Sequence, residues 1–86
     1  MTYRVVLTEY AIRQLKKLPP QVVIKLREAI AALAVNPCPH SYIKLTNVEA
    51  YRVRVGDYRI VYEIDDDALV IRVVEVSNRK ETYRKR

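Results

Sequence analysis

The chain has 86 residues, half of them hydrophobic, with a formal net charge of +6 and a pI near 9.7. That length accommodates one domain with one modest core, and the charge calls for a polyanionic partner. No apolar run approaches the ~20 residues of a spanning helix, and no charged–apolar–small leader opens the chain, so no membrane attachment is expected.

Residues 3–7, Tyr-Arg-Val-Val-Leu, are rich in β-branched and aromatic types and predict a first strand. Thr8 is a suitable helix N-cap and Glu9 suits the first turn that follows. Ile12, Leu15 and Leu18 recur at spacings of three and predict one apolar stripe of a short helix. Pro19-Pro20 stops that helix, because the residue before a proline avoids the α region. Pro20 also fits the first turn of a second helix running to about Val35. Val22, Val23, Leu26, Ile30 and Leu33 form the buried stripe of this second helix, and its alanines allow close approach. Two helices joined by a tight Pro-Pro turn form a helical hairpin that packs on the protein's own sheet.

Asn36-Pro37-Cys38-Pro39 ends the helix and begins a loop. Cys38 is the one cysteine, so no internal disulfide forms, which fits a reducing cytoplasm. Between two prolines, with only His40 close in sequence, it reads as a loop residue rather than a nucleophile. His40 is the one histidine, and without a Cys/His cluster neither a metal nor a cofactor is expected. Lys44-Leu45 begins a short edge strand.

Tyr51 to Tyr62 then alternates on both sides of Gly56-Asp57, and predicts a hairpin closed by that pair. Val55 would stand opposite Tyr58, Arg54 opposite Arg59, Val53 opposite Ile60 and Arg52 opposite Val61. Arg52, Arg54 and Arg59 thereby share one face, with Val53, Val55, Tyr58 and Ile60 on the other. Like charges directly opposite cost roughly 0.2–1 kcal/mol. A solvated face with splayed side chains would tolerate this, and an anion over the face would reverse it.

Asp65-Asp66-Asp67 forms the next turn and Ala68–Val76 a further strand. With Asp66-Asp67 as the loop, Val61 faces Arg72 and Arg59 faces Val74. Arg72, Val74 and Val76 then join the arginine face, while Ile64, Leu69, Ile71 and Val73 face the helices. A three-residue turn would reverse this for the last strand. The tail, residues 77–86, carries Arg79, Lys80, Arg84, Lys85 and Arg86 against Glu81 alone, together with Tyr83.

Arginine forks onto phosphate and stacks on bases. Tyrosine stacks on an unpaired base or accepts a proton. Positive neighbours favour the phenolate, so a tyrosine among arginines suits activation of a ribose 2′-OH. The arginines would stabilise the charge growing on the phosphate. The products would be a 2′,3′-cyclic phosphate and a free 5′-OH, without a metal.

The run Tyr-Arg-Val-Arg-Val-Gly-Asp-Tyr-Arg-Ile-Val-Tyr-Glu-Ile, followed by Val-Ser-Asn-Arg-Lys-Glu-Thr-Tyr-Arg, resembles the RelE toxins of the RelE/ParE toxin–antitoxin superfamily. The likeness extends to Leu15-Lys16-Lys17-Leu18-Pro19 and to Asn36-Pro37 leading to Lys44-Leu45. It implies a single α+β domain over residues 1–86: a twisted, mainly antiparallel sheet with an N-terminal helical hairpin packed on one face, and RNA on the opposite face. It also implies a cytoplasmic toxin that enters the ribosomal A site and cuts mRNA.

By this resemblance Arg52 and Arg54 occupy a basic pair that is often lysine in the family. Arg59 matches the arginine of the Gly-x-Tyr-Arg turn. Arg79 matches an arginine that aids leaving-group protonation and phosphate stabilisation, and Tyr83 a tail tyrosine that stacks or serves as base. Arg72, Lys80 and Arg84 are added as RNA contacts. Arginine at 52 and 54 removes the option of a neutral amine base, since guanidinium does not deprotonate in proteins. Asn78 stands where many members carry His or Lys, which leaves the proton donor unassigned and favours a slow or ribosome-dependent nuclease. The implied partners are a cognate antitoxin, the ribosome and mRNA, with operator DNA bound only through the antitoxin complex. The rival readings are a ParE-like gyrase inhibitor and a non-catalytic RNA-binding or interaction module.

Overall fold

The computed structural model describes residues 2–38, 42–45 and 50–78. The elements follow as β1 (Arg4–Leu7), α1 (Glu9–Lys16), α2 (Pro20–Val35), β2 (Ile43–Lys44), β3 (Tyr51–Val55), β4 (Tyr58–Asp65) and β5 (Val70–Asn78). The five strands form one sheet in the order β1-β5-β4-β3-β2. The β2–β3, β3–β4 and β4–β5 pairs are antiparallel, and β1 runs parallel to β5. The architecture is therefore α+β with a mainly antiparallel sheet, as expected. Among the described residues, no helix is long and apolar enough to cross a membrane.

Thr8 caps α1, its hydroxyl accepting from the Ala11 N–H at 3.2 Å. The buried side of α1 differs from the expected stripe. Ala11 is fully buried and Leu15 and Leu18 pack on the core, whereas Ile12 is 40 % exposed. The small Ala11 lets the helix lie close along β5, and half-buried Gln14 shares that side. Gln14 Oε1 accepts the Val76 N–H at 2.6 Å, and the Thr8 N–H bonds the Val73 carbonyl at 3.0 Å. β1 has only four residues against nine in β5, so α1 satisfies backbone groups that β1 is too short to reach.

Pro19 is the N-cap of α2 and Pro20 its first residue, where the missing N–H costs nothing. α2 lies across β1, β3 and β5. Its Leu26, Ile30 and Leu33 meet Val53, Ile60, Tyr62, Ile71, Val73 and Val76 in one core. Fully burying each aliphatic side chain contributes roughly 1.5–3 kcal/mol.

The β3–β4 register is the expected one: Val55 opposite Tyr58, Arg54 opposite Arg59, Val53 opposite Ile60 and Arg52 opposite Val61. Gly56 has φ +61° and Asp57 stays out of the left-handed region, the geometry of a type II′ turn. The β4–β5 register departs from expectation. Four residues, Asp66–Leu69, separate the paired Asp65 and Val70, and Leu69 closes the turn at φ +57°. Glu63, rather than Val61, therefore faces Arg72.

A register shift follows between Val61 and Tyr62. Val73 pairs with Tyr62 and Glu75 with Val61, with Val74 the extra residue between them. Val76 consequently faces Ile60 and is 2 % exposed in the core, so its expected place on the arginine face is corrected. Arg59 faces Ser77, not Val74.

Candidate nucleic-acid interface

Directly paired residues share a face of a sheet, so the register defines the surface turned away from the helices. At the Gly56-Asp57 end it presents the row Arg54–Arg59–Ser77, and beside it the row Arg52–Val61–Glu75. Arg54 is exposed, Arg52 and Arg59 are half-buried, and Ser77 is buried. The three arginines expected together on β3 and β4 are together on this face.

Arg59 is the most confined of them. Its Nε is buried and has no hydrogen-bond partner among the described residues. A buried donor left unpaired costs about 1–3 kcal/mol, and here it belongs to a permanent cation facing a second cation, Arg54. Among the described residues no carboxylate accepts from this nitrogen. A phosphate oxygen over the row would accept from the guanidinium and offset the repulsion between the two charges.

Arg72 shares the same face but stands apart in chemistry. Its Nε donates to Glu63 Oε1 at 2.9 Å and its Nη2 donates to the same oxygen. This ion pair is exposed and engages Arg72 away from the Arg52/Arg54/Arg59 group. Arg4 also falls on this side, opposite Val70 across the parallel β1–β5 pair, a placement that sequence alternation alone does not specify. Beyond Arg72 the face turns acidic. A cleft of about 820 Å³ there is lined by Val6, Glu63, Asp65, Asp66, Asp67 and Arg72 among others. Its carboxylates disfavour phosphate, so this cleft does not suit nucleic acid. The face is thus polarised, cationic at the hairpin end and anionic at the Asp65 end.

Two phenols show how the edges of this face are held. Tyr3 Oη donates to Asp66 at 2.6 Å, and that bond to a carboxylate raises the Tyr3 pKa. Tyr62, fully buried on the helix side, donates to the Pro37 carbonyl at 2.7 Å. Burial is the main cause of its strongly raised pKa. The rings of Tyr42, just before β2, Tyr51 on β3 and Tyr62 on β4 stand in a line with centroids 5.5 and 6.0 Å apart. The Tyr62 bond ties β4 to the loop after α2.

Arg79, Lys80, Tyr83 and Arg84 lie outside the described residues. Asn78, the last described residue, pairs with Tyr58 next to the hairpin turn, at the arginine end of the sheet. Glu75 was not anticipated on this face. It arrives there through the extra residue in β5, which no alternation pattern reveals.

The chain matches a family model described as ParE toxin of type II toxin-antitoxin system, parDE, over residues 5–83. It is 31% identical over 98% of its length to a toxin named RelE1 of Methanocaldococcus jannaschii, covering 98% of that protein. It is 32% identical to toxin RelE of Mycobacterium tuberculosis, over 95% of this chain and 87% of the relative. Among solved structures, the toxin–antitoxin complex RelBE2 from Mycobacterium tuberculosis contains a chain that superposes with a TM-score of 0.83 at 30% identity. That match covers 92% of this chain and 100% of the other. The archaeal RelE–RelB complex from Pyrococcus horikoshii gives 0.82 at 30% identity, covering 92% and 97%. With an arginine-bearing sheet face, a two-helix layer behind it and these matches along nearly its whole length, the chain belongs to the RelE/ParE superfamily of type II toxin–antitoxin toxins.

Proposed function

We propose that this protein is the toxin of a toxin–antitoxin pair and acts as a metal-independent endoribonuclease that cuts mRNA in the ribosomal A site. The observation that carries this reading is the unpartnered, buried Arg59 Nε in a row of like charges. Among the described residues no acceptor meets that nitrogen, and the scissile phosphate supplies one. Arg52, Arg54 and Arg59 hold the phosphate and stabilise the charge that grows on it as the ribose 2′-oxygen attacks. The 2′-O–P bond forms as the P–O5′ bond breaks, giving a 2′,3′-cyclic phosphate and a 5′-OH. Arg79 adds a further phosphate contact. Tyr83 stacks on the base or accepts the 2′-OH proton, and Lys80 and Arg84 bind flanking phosphates. Arg72, already paired with Glu63, contributes a weaker, peripheral contact.

A cognate antitoxin is the partner. The similar structures from Mycobacterium tuberculosis and Pyrococcus horikoshii described above are both toxin–antitoxin complexes. An antitoxin carrying acidic side chains would cover the arginine row, complementing its charge. Operator DNA would be reached only through that antitoxin, and the toxin would work in the cytoplasm. The competing reading, gyrase inhibition, is favoured by the ParE description of the matching family. Induced expression without antitoxin, with mapping of cellular mRNA 5′ ends, separates the two. Cuts inside translated frames support the nuclease. Intact mRNA with a DNA-damage response supports the rival.

A further inference from the structure

We propose that Glu75 is the general base of this reaction, its carboxylate taking the proton of the attacking 2′-OH. The assignment rests on the nuclease reading above and adds a residue to it.

The bulge in β5 is what delivers Glu75. Strict alternation from Val73, which lies in the core, would turn Glu75 beneath the helices and leave Val76 on the open side. The extra residue Val74 inverts this, burying Val76 and setting Glu75 opposite Val61 on the arginine face. Bulges recur next to active sites because they re-aim one side chain.

Of the other described carboxylates bordering this face, three are committed elsewhere and Asp67 lies in the turn at the far, acidic end. Glu63 holds Arg72, Asp65 accepts the Ala68 N–H and Asp66 accepts from Tyr3. Glu75 is half-buried and makes no hydrogen bond or ion pair among the described residues. The charged groups around it are Arg52 on β3, Arg59 and Glu63 on β4, and Arg72 on its own strand. Arg59 is its diagonal neighbour, at about 7–8 Å between backbones. Arg52 stands two strands away, about 10 Å at the ordinary strand spacing. A phosphodiester seated over Val61 would lie between the carboxylate and the guanidinium groups.

Guanidinium accepts no proton, whereas a glutamate side chain is an anion at neutral pH. The 2′-OH proton passes to Glu75 as the 2′-O–P bond forms and the P–O5′ bond breaks. The departing 5′-oxygen takes a proton from water, and Glu75 returns its own to solvent. Tyr83 is then the stacking residue.

The test is single-turnover cleavage of mRNA on programmed ribosomes, across a pH series, with wild type, Glu75→Gln and Glu75→Asp. Thermal melting of each protein checks its fold. Glu75→Gln is expected to cleave about 10²–10⁴-fold more slowly, and to lose the acidic limb of the wild-type profile. It should bind ribosomes at least as tightly, because an anion has left a phosphate site. Glu75→Asp should retain the limb at an intermediate rate, which keeps the assignment testable if the Gln variant folds poorly. Wild-type rate and profile in Glu75→Gln, or loss of the acidic limb in Glu75→Asp, would overturn the assignment alone. A wild-type protein that leaves ribosomal mRNA intact would overturn the nuclease reading and this inference with it.

Discussion

Arg54 and Arg59 stand directly opposite each other across β3 and β4, and the two consequences have opposite signs. Replacing Arg54 with Thr removes like-charge repulsion and should stabilise the domain by roughly 0.2–1 kcal/mol. The same change should weaken RNA binding and toxicity. Denaturant unfolding and growth arrest on induction measure the two effects. A loss of both stability and toxicity would mean that the pair serves the fold. On single-stranded RNA, loss of one phosphate contact should reduce the slope of log affinity against log salt by about 0.7. Tyr62 makes the contrasting case of a residue spent on structure. Tyr62→Phe strands the Pro37 carbonyl and should cost about 1–3 kcal/mol. Burial raises the Tyr62 pKa, so the folded state keeps the phenol neutral where the unfolded chain ionises it. Its contribution is complete below pH ~10, the ordinary tyrosine value, and declines as pH rises above it. The Phe variant should lose that part of the alkaline destabilisation, as read from melting temperature against pH.

At the scale of elements, each strand pair takes its register from its turn. Gly56 is the one glycine in the chain, and its left-handed φ fixes the β3–β4 hairpin. Nothing lies within 4 Å of a Cβ placed there, so Gly56→Ala is resisted only by backbone conformation. A loss of roughly 1–2 kcal/mol in denaturant unfolding is expected. The arginine row was legible in the sequence because that turn is short and its glycine unmistakable. The β4–β5 connection was not. Its three aspartates mark a turn without setting its length, and Leu69 adopts the left-handed conformation without being a glycine or asparagine. The bulge at Val74 then moved Val76 inward and Glu75 outward, a shift that two-residue periodicity cannot encode. Ile12 was misplaced for a related reason. A helix of eight residues is too short for its apolar spacing to outweigh what β5 requires, a small Ala11 and the Gln14 amide. Gln14→Leu should cost about 1–3 kcal/mol in denaturant unfolding by orphaning the Val76 N–H.

Across the whole molecule, the helices and the arginines divide the sheet between them. One side is sealed by α1 and α2, and the other stays open, cationic near the hairpin and anionic near Asp65. Pairing β1 with β5, the last strand, ties the chain's beginning to the strand that carries Glu75 and Ser77. Sequence periodicity predicts both strands but not their parallel contact, which depends on where the helices return the chain. On the proposed reading, a polarised open face would orient a phosphate backbone as well as attract it, and an antitoxin would need to cover only its cationic half to silence the protein. The central claim is that this cationic half holds and cuts mRNA. Its most direct test is to sequence mRNA 5′ ends after inducing the wild-type protein and an Arg59→Ala variant without antitoxin. New 5′-OH ends within translated frames for wild type, absent or sharply reduced for the variant, are predicted. Equal cleavage by both proteins, or none by the wild type, would contradict it.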